Sequence, residues 1–570
     1  MDPSSAEARA RLRRAIDDGI KEFQELIRAL EEVTQASKCR RNALVPISRL
    51  PPETLAEIFS FLSPPACDDE AYGYRSWLYI THVCHQWREI AIHCPHLWSH
   101  VSASQLGTAL LTEILTRTKM APLHLEMAGY YTRKWDDFER ILKAHISHTR
   151  HLRIAGDFHA VLRRLTSSAP ALEFLFLSNS HGAFVIPDTL FNGTTPRLTG
   201  LKLYGCDISW KSPLLRGLQT LEILNPSLAV VARSTLEDWL DALNGMPQLQ
   251  TLTLETPIFH DSDVPTDSVD LLISEPQRII TLPSLTKLSI HALAMDCVLA
   301  FAHLVFPALT SLHVHAESSW EDGDGEDVQL LIPHVARNSH GSQDSMPLQS
   351  ILLDGGQTTH VEMVTWTAPD AALGVCDLIT FNHAADSARV HFFAKGLWNY
   401  GTDTVIIDSL LTHLPVHSIS TLTAENDTQL SKEVWLCHAP RLAMLKRVRL
   451  ACSAVGSFRR MLAEDAALDR PARLPLLTTL ILFEVSLTVR RTYRLRHTLI
   501  KRMKQGAPLE NLDLRTCDAA ERAVQFLAEI VGNVQGPARP LKVGNPAFFD
   551  WEGGVGSPGE EDGSTDDDEF

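Results

Sequence analysis

No two of the ten cysteines form a CxxC pair; Cys39, Cys67, Cys84, Cys94, Cys206, Cys297, Cys376, Cys437, Cys452 and Cys517 are scattered. Paired-thiolate zinc modules are therefore absent. The start, MDPSSAEARARLRRAIDD, has no apolar core of the kind a secretory signal needs. Long apolar runs are missing too: the longest, 292–309, is broken by Asp296, His303 and Pro307, so no membrane span is expected. The expectation is a reducing compartment, cytoplasmic and/or nuclear, with disulfides playing no part in the fold. Positive charge is short, with Lys+Arg 52 against Asp+Glu 69 and a net −17. That argues against a nucleic-acid partner, whose affinity comes from neutralising phosphates. Local catalytic signatures are also lacking. There is no Gly-Lys dipeptide and hence no P-loop, and no GxSxG or HExxH. A non-enzyme without cofactor or metal is expected, although a triad assembled from distant positions stays open.

What is present is a 570-residue chain of globular composition, 45% hydrophobic and 21% charged, long enough for several cores. In segment 1–40, Leu12, Ile16, Ile20, Phe23, Ile27 and Leu30 recur at three- and four-residue steps, the spacing of a helix with one apolar seam. Packing against its own chain is the favoured reading, and coiled-coil-like self-association the other.

Segment 44–101 is dense in motifs: ALVPISRLPPETLAEIFSFL, a loop at 63–76, then SWLYITHVCHQWREIAIHCPHLWSHV. Pro51 and Pro52 open a helix, where a missing N–H is harmless. Leu55, Ile58, Phe59 and Leu62 form its apolar face. A second helix is expected to carry Ile80, Val83, Cys84, Trp87, Ile90 and Ala91, stopping at Pro95.

From 102 to 545 a short signature recurs, x-L-x-x-L-x-L after a Pro or turn, as in PALEFLFLSNS, PQLQTLTLETP and PALTSLHVHAE. Its alternating end is strand-like, and helical patterns fill the intervals. Strand alternating with helix resembles a leucine-rich-repeat array. First leucines at 172, 198, 218, 249, 285, 309, 348, 445, 477 and 509 are unevenly spaced, so the array is irregular. HSISTLTAEN at 417–426 reads as one worn copy in the degenerate stretch between 348 and 445. An open α/β domain with leucine-rich strands is the alternative.

Two acidic stretches stand out. EDGDGED at 321–327 reads as a solvated loop. The tail 552–570 holds eight acidic and no basic residues, leaves about −9 for the rest of the chain, and is expected to be disordered. The main positive patch is Arg490, Arg491, Arg494, Arg496, Lys501, Arg502 and Lys504 on one helix. It reads as a solvent-facing repeat helix, or as a site for an acidic partner. His82, Cys84, His85, His93, Cys94 and His96 are the densest metal-type cluster, but their spacing is wrong for zinc. Cys84 reads as a small apolar helix residue. His145, His148 and His151 fall at three-residue steps on a probable helix edge.

Leu50-Pro51, an amphipathic helix, a loop, and then ITHVCxxWRxIA with PxLW after it resemble an F-box, in the version found in fungal, basidiomycete-type F-box proteins. The resemblance is strong over about 60 residues; the unusually long loop at 63–76 departs from the pattern. It implies a small all-α domain within an α/β chain: an N-terminal helix, the F-box, an irregular leucine-rich-repeat-like solenoid and the tail. It implies a substrate-recognition subunit that binds the Skp adaptor and, through it, cullin and RING subunits, and holds a protein target. Carried over by motif, Leu50, Pro51, Leu55, Ile58, Leu62, Val83 and Trp87 make or support the adaptor interface. The competing reading of each is an intramolecular core residue, and of the chain a scaffold that binds partners without ubiquitination.

Overall fold

The computed structural model describes residues 3–62, 76–104, 106–129, 135–179, 184–224, 235–255, 278–318, 325–339, 346–355, 360–371, 388–397, 401–425, 430–465 and 472–537. The loop 63–75, most of the acidic stretch at 321–327 and the tail lie outside them. Two compact units form, the first from 1–180 with 189–198, the second from 181–188 with 199–570. No helix among the described residues is long and apolar enough to cross a membrane.

The first unit begins with α1 (Pro3–Ala43). Its seam faces solvent: Leu12, Ile16, Ile20, Phe23, Ile27 and Leu30 are all exposed. Packing on its own chain is therefore corrected. A helix is there, as the spacing requires, but nothing among the described residues covers its seam. Next come α2 (Pro52–Ser60) and α3 (His85–Ile92), with 3-10 helical segments at Pro46–Arg49, Ser76–His82 and Pro95–Trp98. Four parallel strands follow, β1 (His100–Ser102), β2 (Leu123–Gly129), β3 (Thr149–Gly156) and β4 (Phe174–Ser178). Their returns are α4 (Thr108–Thr118), α5 (Trp135–His145) and α6 (His159–Arg164).

The histidines at 145, 148 and 151 do not share a helix. His145 ends α5, His148 lies in a 3-10 turn and His151 is on β3. Strand register instead stacks His151 on His124 and His124 on His100, with ring centroids 4.2 Å apart at each step. Burial, then the neighbouring His100, His151 and Arg150 charges, push the His124 imidazole down to about 3.

The second unit is a ladder of strand-and-return repeats. In chain order its main strands are β5 (Gly200–Tyr204), β6 (Thr220–Leu224), β7 (Thr251–Glu255), β8 (Lys287–Leu293) and β9 (Ser311–Glu317). Then come β10 (Ser350–Gly355), β11 (His360–Trp366), β12 (Val390–Lys395), β13 (Thr421–Glu425), β14 (Arg447–Ala451), β15 (Thr479–Phe483), β16 (Asn511–Asp513) and β17 (Asn533–Gln535). The returns include α7 (Leu236–Asn244), α8 (Ala294–His303), α9 (Glu326–Ser339), α10 (Thr402–His413), α11 (Lys432–His438), α12 (Cys452–Asp465), α13 (Val489–Lys504) and α14 (Glu521–Ala528).

Across both units the signature marks strands. Each of the ten first leucines is buried and lies two residues before a strand, from Leu172 before β4 to Leu509 before β16. The worn copy at 417–426 holds β13. The stretch that looked degenerate is a reversal: β9 pairs with β12, and the ladder then runs β12, β11, β10 before rejoining at β13. β11 is antiparallel to both its neighbours, whereas β5 to β9 and β13 to β17 pair in parallel. Within the acidic stretch, Asp327 is buried in the first turn of α9, where its carboxylate accepts from Ser318 Oγ at 2.9 Å, so this residue is not part of a solvated loop.

Arginines tie one return to the next. Arg337 on α9 donates to Phe301 O at 2.6 Å near the end of α8. Arg441 donates to Leu411 O, Thr412 O and Leu414 O at the end of α10. Arg502 on α13 donates to Arg473 O, Leu474 O and Leu477 O. Carbonyls left open at helix ends and turns need such donors when buried.

Two predictions follow from these contacts. Arg502→Met strands three carbonyls and should cost about 2–4 kcal/mol in denaturant unfolding, against less than about 0.5 for exposed Arg490→Met. An unfolded chain takes a proton on His124 near 6.5, while the folded one resists to about 3. The unfolded state thus binds more protons within that window, and stability should fall as pH drops through it. The thermal midpoint measured against pH should flatten in His124→Phe.

Candidate protein-docking surface

Pro52 sits at N1 of α2, and the first helical hydrogen bond runs from Leu55 N to Pro51 O at 3.1 Å. Leu55 and Phe59, four apart, share a face and are buried. The Phe59 ring meets Trp87 of α3 at 5.0 Å and 53°. Cys84 is not a helix-interior residue: its backbone is extended at φ −157° and it is the N-cap of α3, Sγ accepting from Trp87 N at 3.5 Å. Proximal to α2, Ser48 Oγ donates to Asn42 O at 2.8 Å and Gln86 Nε2 to Ser48 O at 3.5 Å, joining the turn before α2 to α3. Trp98 is buried, its Nε1 donating to Ala91 O at 2.7 Å and its ring lying 4.4 Å under the Arg117 guanidinium. One residue on, Ser99 O accepts from His124 N at 2.8 Å, so the helical segment runs straight into the first unit's sheet.

The other flank of α2 is uncovered. Ile58 is 39% exposed, Phe61 81% and Leu62 53%, and Val83, before α3, is 56% exposed. Leu44, Val45, Ile47 and Tyr79 are exposed as well. A handful of large apolar side chains is thus exposed together on one small helical segment.

The seven expected interface residues therefore divide. Ile58, Leu62, Val83 and Pro51 face solvent, and Leu50 is half-buried. Leu55 is fully buried and is corrected to a core residue; Trp87 is half-buried against Phe59 and supports the core from the side. Sequence reasoning missed Phe61, although it stands three residues after Ile58 and so on the same flank.

The basic patch on α13 is only partly open to solvent. Arg502 is buried on its three carbonyls. Arg496 lies 4.1 Å over Phe526 and pairs with Glu529 at 2.7 Å, and Arg491 donates to Ser486 O at 3.0 Å. Arg490 and Lys504 are exposed, while Arg494 and Lys501 are half-exposed. Arg491, Arg496 and Arg502 thus contact the fold itself, while the other four are at least partly open to solvent. Among the described residues, none of His82, Cys84, His85, His93, Cys94 and His96 belongs to a converging group of three metal donors.

Residues 47–104 match the family model described as F-box-like. The chain thus carries an F-box-like domain, and domains of this kind generally bind the Skp adaptor. A search of curated proteins finds no match.

The division of α2 makes a prediction. Trp98→Ala should lower unfolding free energy by about 3–5 kcal/mol, whereas Phe61→Ala should change it by less than about 0.5, measured by chemical denaturation.

Proposed function

We propose that this chain is the substrate-recognition subunit of a Skp–cullin–F-box ubiquitin ligase. The observation that carries the reading is the uncovered flank Ile58, Phe61, Leu62 and Val83 inside the segment that matches the F-box-like family. Burying an aromatic such as Phe61 at the centre of a contact can be worth about 2 kcal/mol or more. The adaptor takes this flank and brings cullin and RING subunits with it, in the cytoplasm, the nucleus or both.

The second unit is then the receptor. Its parallel strand-and-return repeats are read as an irregular leucine-rich-repeat-like array, in keeping with the fungal character of the F-box motifs, and its strand face as the grip for a protein target. The chain itself makes and breaks no bond. It raises the effective concentration of a target lysine near a ubiquitin-charged enzyme.

Affinity capture from cells tests the reading. Wild type should retain the Skp adaptor and cullin, and Ile58→Ala/Phe61→Ala should lose at least tenfold of both at unchanged expression. No adaptor on wild type, or full retention by the double variant, would count against it. Adaptor without cullin would favour a scaffold that works outside ubiquitination.

A further inference from the structure

The reversal in the ladder brings together side chains that the repeats keep apart. Asp354 on β10 is the direct register partner of Glu362 on β11, and His360 lies two residues from Glu362 on the same strand face. One donor atom from each of the three lies within 4.8 Å of the others. On its far side Asp354 faces Glu425 of β13, so three carboxylates occupy consecutive register positions across three strands. Like charges directly opposite one another are destabilising in a sheet, and of the three Glu425 is offset by Arg449 Nη1 at 3.5 Å. Glu362 is buried, and Leu352 and Val364, each the next same-face residue along its strand, lie in an apolar cluster with Trp366 and Ala388.

We propose that Asp354, His360 and Glu362 bind one divalent transition-metal ion of the zinc class. A +2 ion relieves the opposed carboxylates, and an imidazole nitrogen beside two carboxylate oxygens suits zinc or manganese better than calcium or magnesium. The donors are held in place from outside. His391 Nε2 is 2.6 Å from Glu362 Oε1, and the His360 ring lies against Phe393 at 5.1 Å and 20°. Such second-layer contacts orient ligands, and the apolar cluster strengthens charge attraction by excluding water. Lys395, opposite His360 in the register, forms its ion pair with Glu317. The site stands independently of adaptor binding.

The test is titration of the full-length protein, treated with chelator, by zinc chloride in a calorimeter. Wild type should take up zinc saturably. His360→Ala and the near-isosteric Glu362→Gln should each lose one equivalent, or weaken it at least tenfold. Zinc should raise the thermal midpoint of wild type but not of Glu362→Gln, whose midpoint without metal reports that it is folded. No saturable uptake by wild type overturns the site. So does full retention by both variants, or loss of that equivalent in Cys437→Ser instead, because Asp408, Cys437 and His438 form a separate converging group.

Discussion

Nine residues of helix cannot hide every apolar side chain that α2 and its exit carry, and the rest of the account depends on which ones stay outside. Leu55 and Phe59 take the buried side and lock against Trp87. Ile58 and Phe61 step off the adjacent flank, and Leu62 follows in a tight turn closed by Leu62 N to Phe59 O at 3.0 Å. The core is already filled by Leu97 and Trp98, so the exposed flank has no place to go within its own segment. Leaving it in water costs roughly 25 cal/mol per Å² of apolar surface, a cost that a covering partner removes. Because the same Trp98 is followed directly by the first strand, whatever covers the flank is held at a fixed place relative to the first unit's sheet.

The repeats stay together by a different physics. Their leucines supply burial before ten of the strands, but uneven lengths of return prevent a uniform polar ladder from running along the array. Arg337, Arg441 and Arg502 do that work locally, each reaching the carbonyls of an adjacent return. A long, forked donor tolerates irregular spacing better than a short amide side chain, since it reaches carbonyls at several distances.

The legible part of this chain was whatever repeats or caps locally. Pro52 opening α2, and the leucine two residues before each of ten strands, follow from local sequence alone. The failures came from tertiary context. Periodicity runs through Val83 and Cys84 as though one helix continued, yet Cys84 turns extended to cap a new one. The same periodicity cannot tell the buried Leu55 from the exposed Ile58, because both belong to one apolar stripe and only the packing of α3 chooses between them. The arginines on α13 look like a surface patch, but they sit at the points where carbonyls need donors. The strand reversal was hidden because β11 and β12 lack the leucine signature, and their neighbours were known only from register. The solvent-facing seam of α1 likewise shows only in the fold, where none of the described residues covers it.

Hydrogen–deuterium exchange of the full-length chain, alone and with purified Skp adaptor, tests the central claim most directly. Peptides spanning 47–62 and 78–92 should gain protection, while those from the ladder strands stay unchanged. Unchanged exchange at Ile58, Phe61 and Val83 in the presence of saturating adaptor would contradict the account.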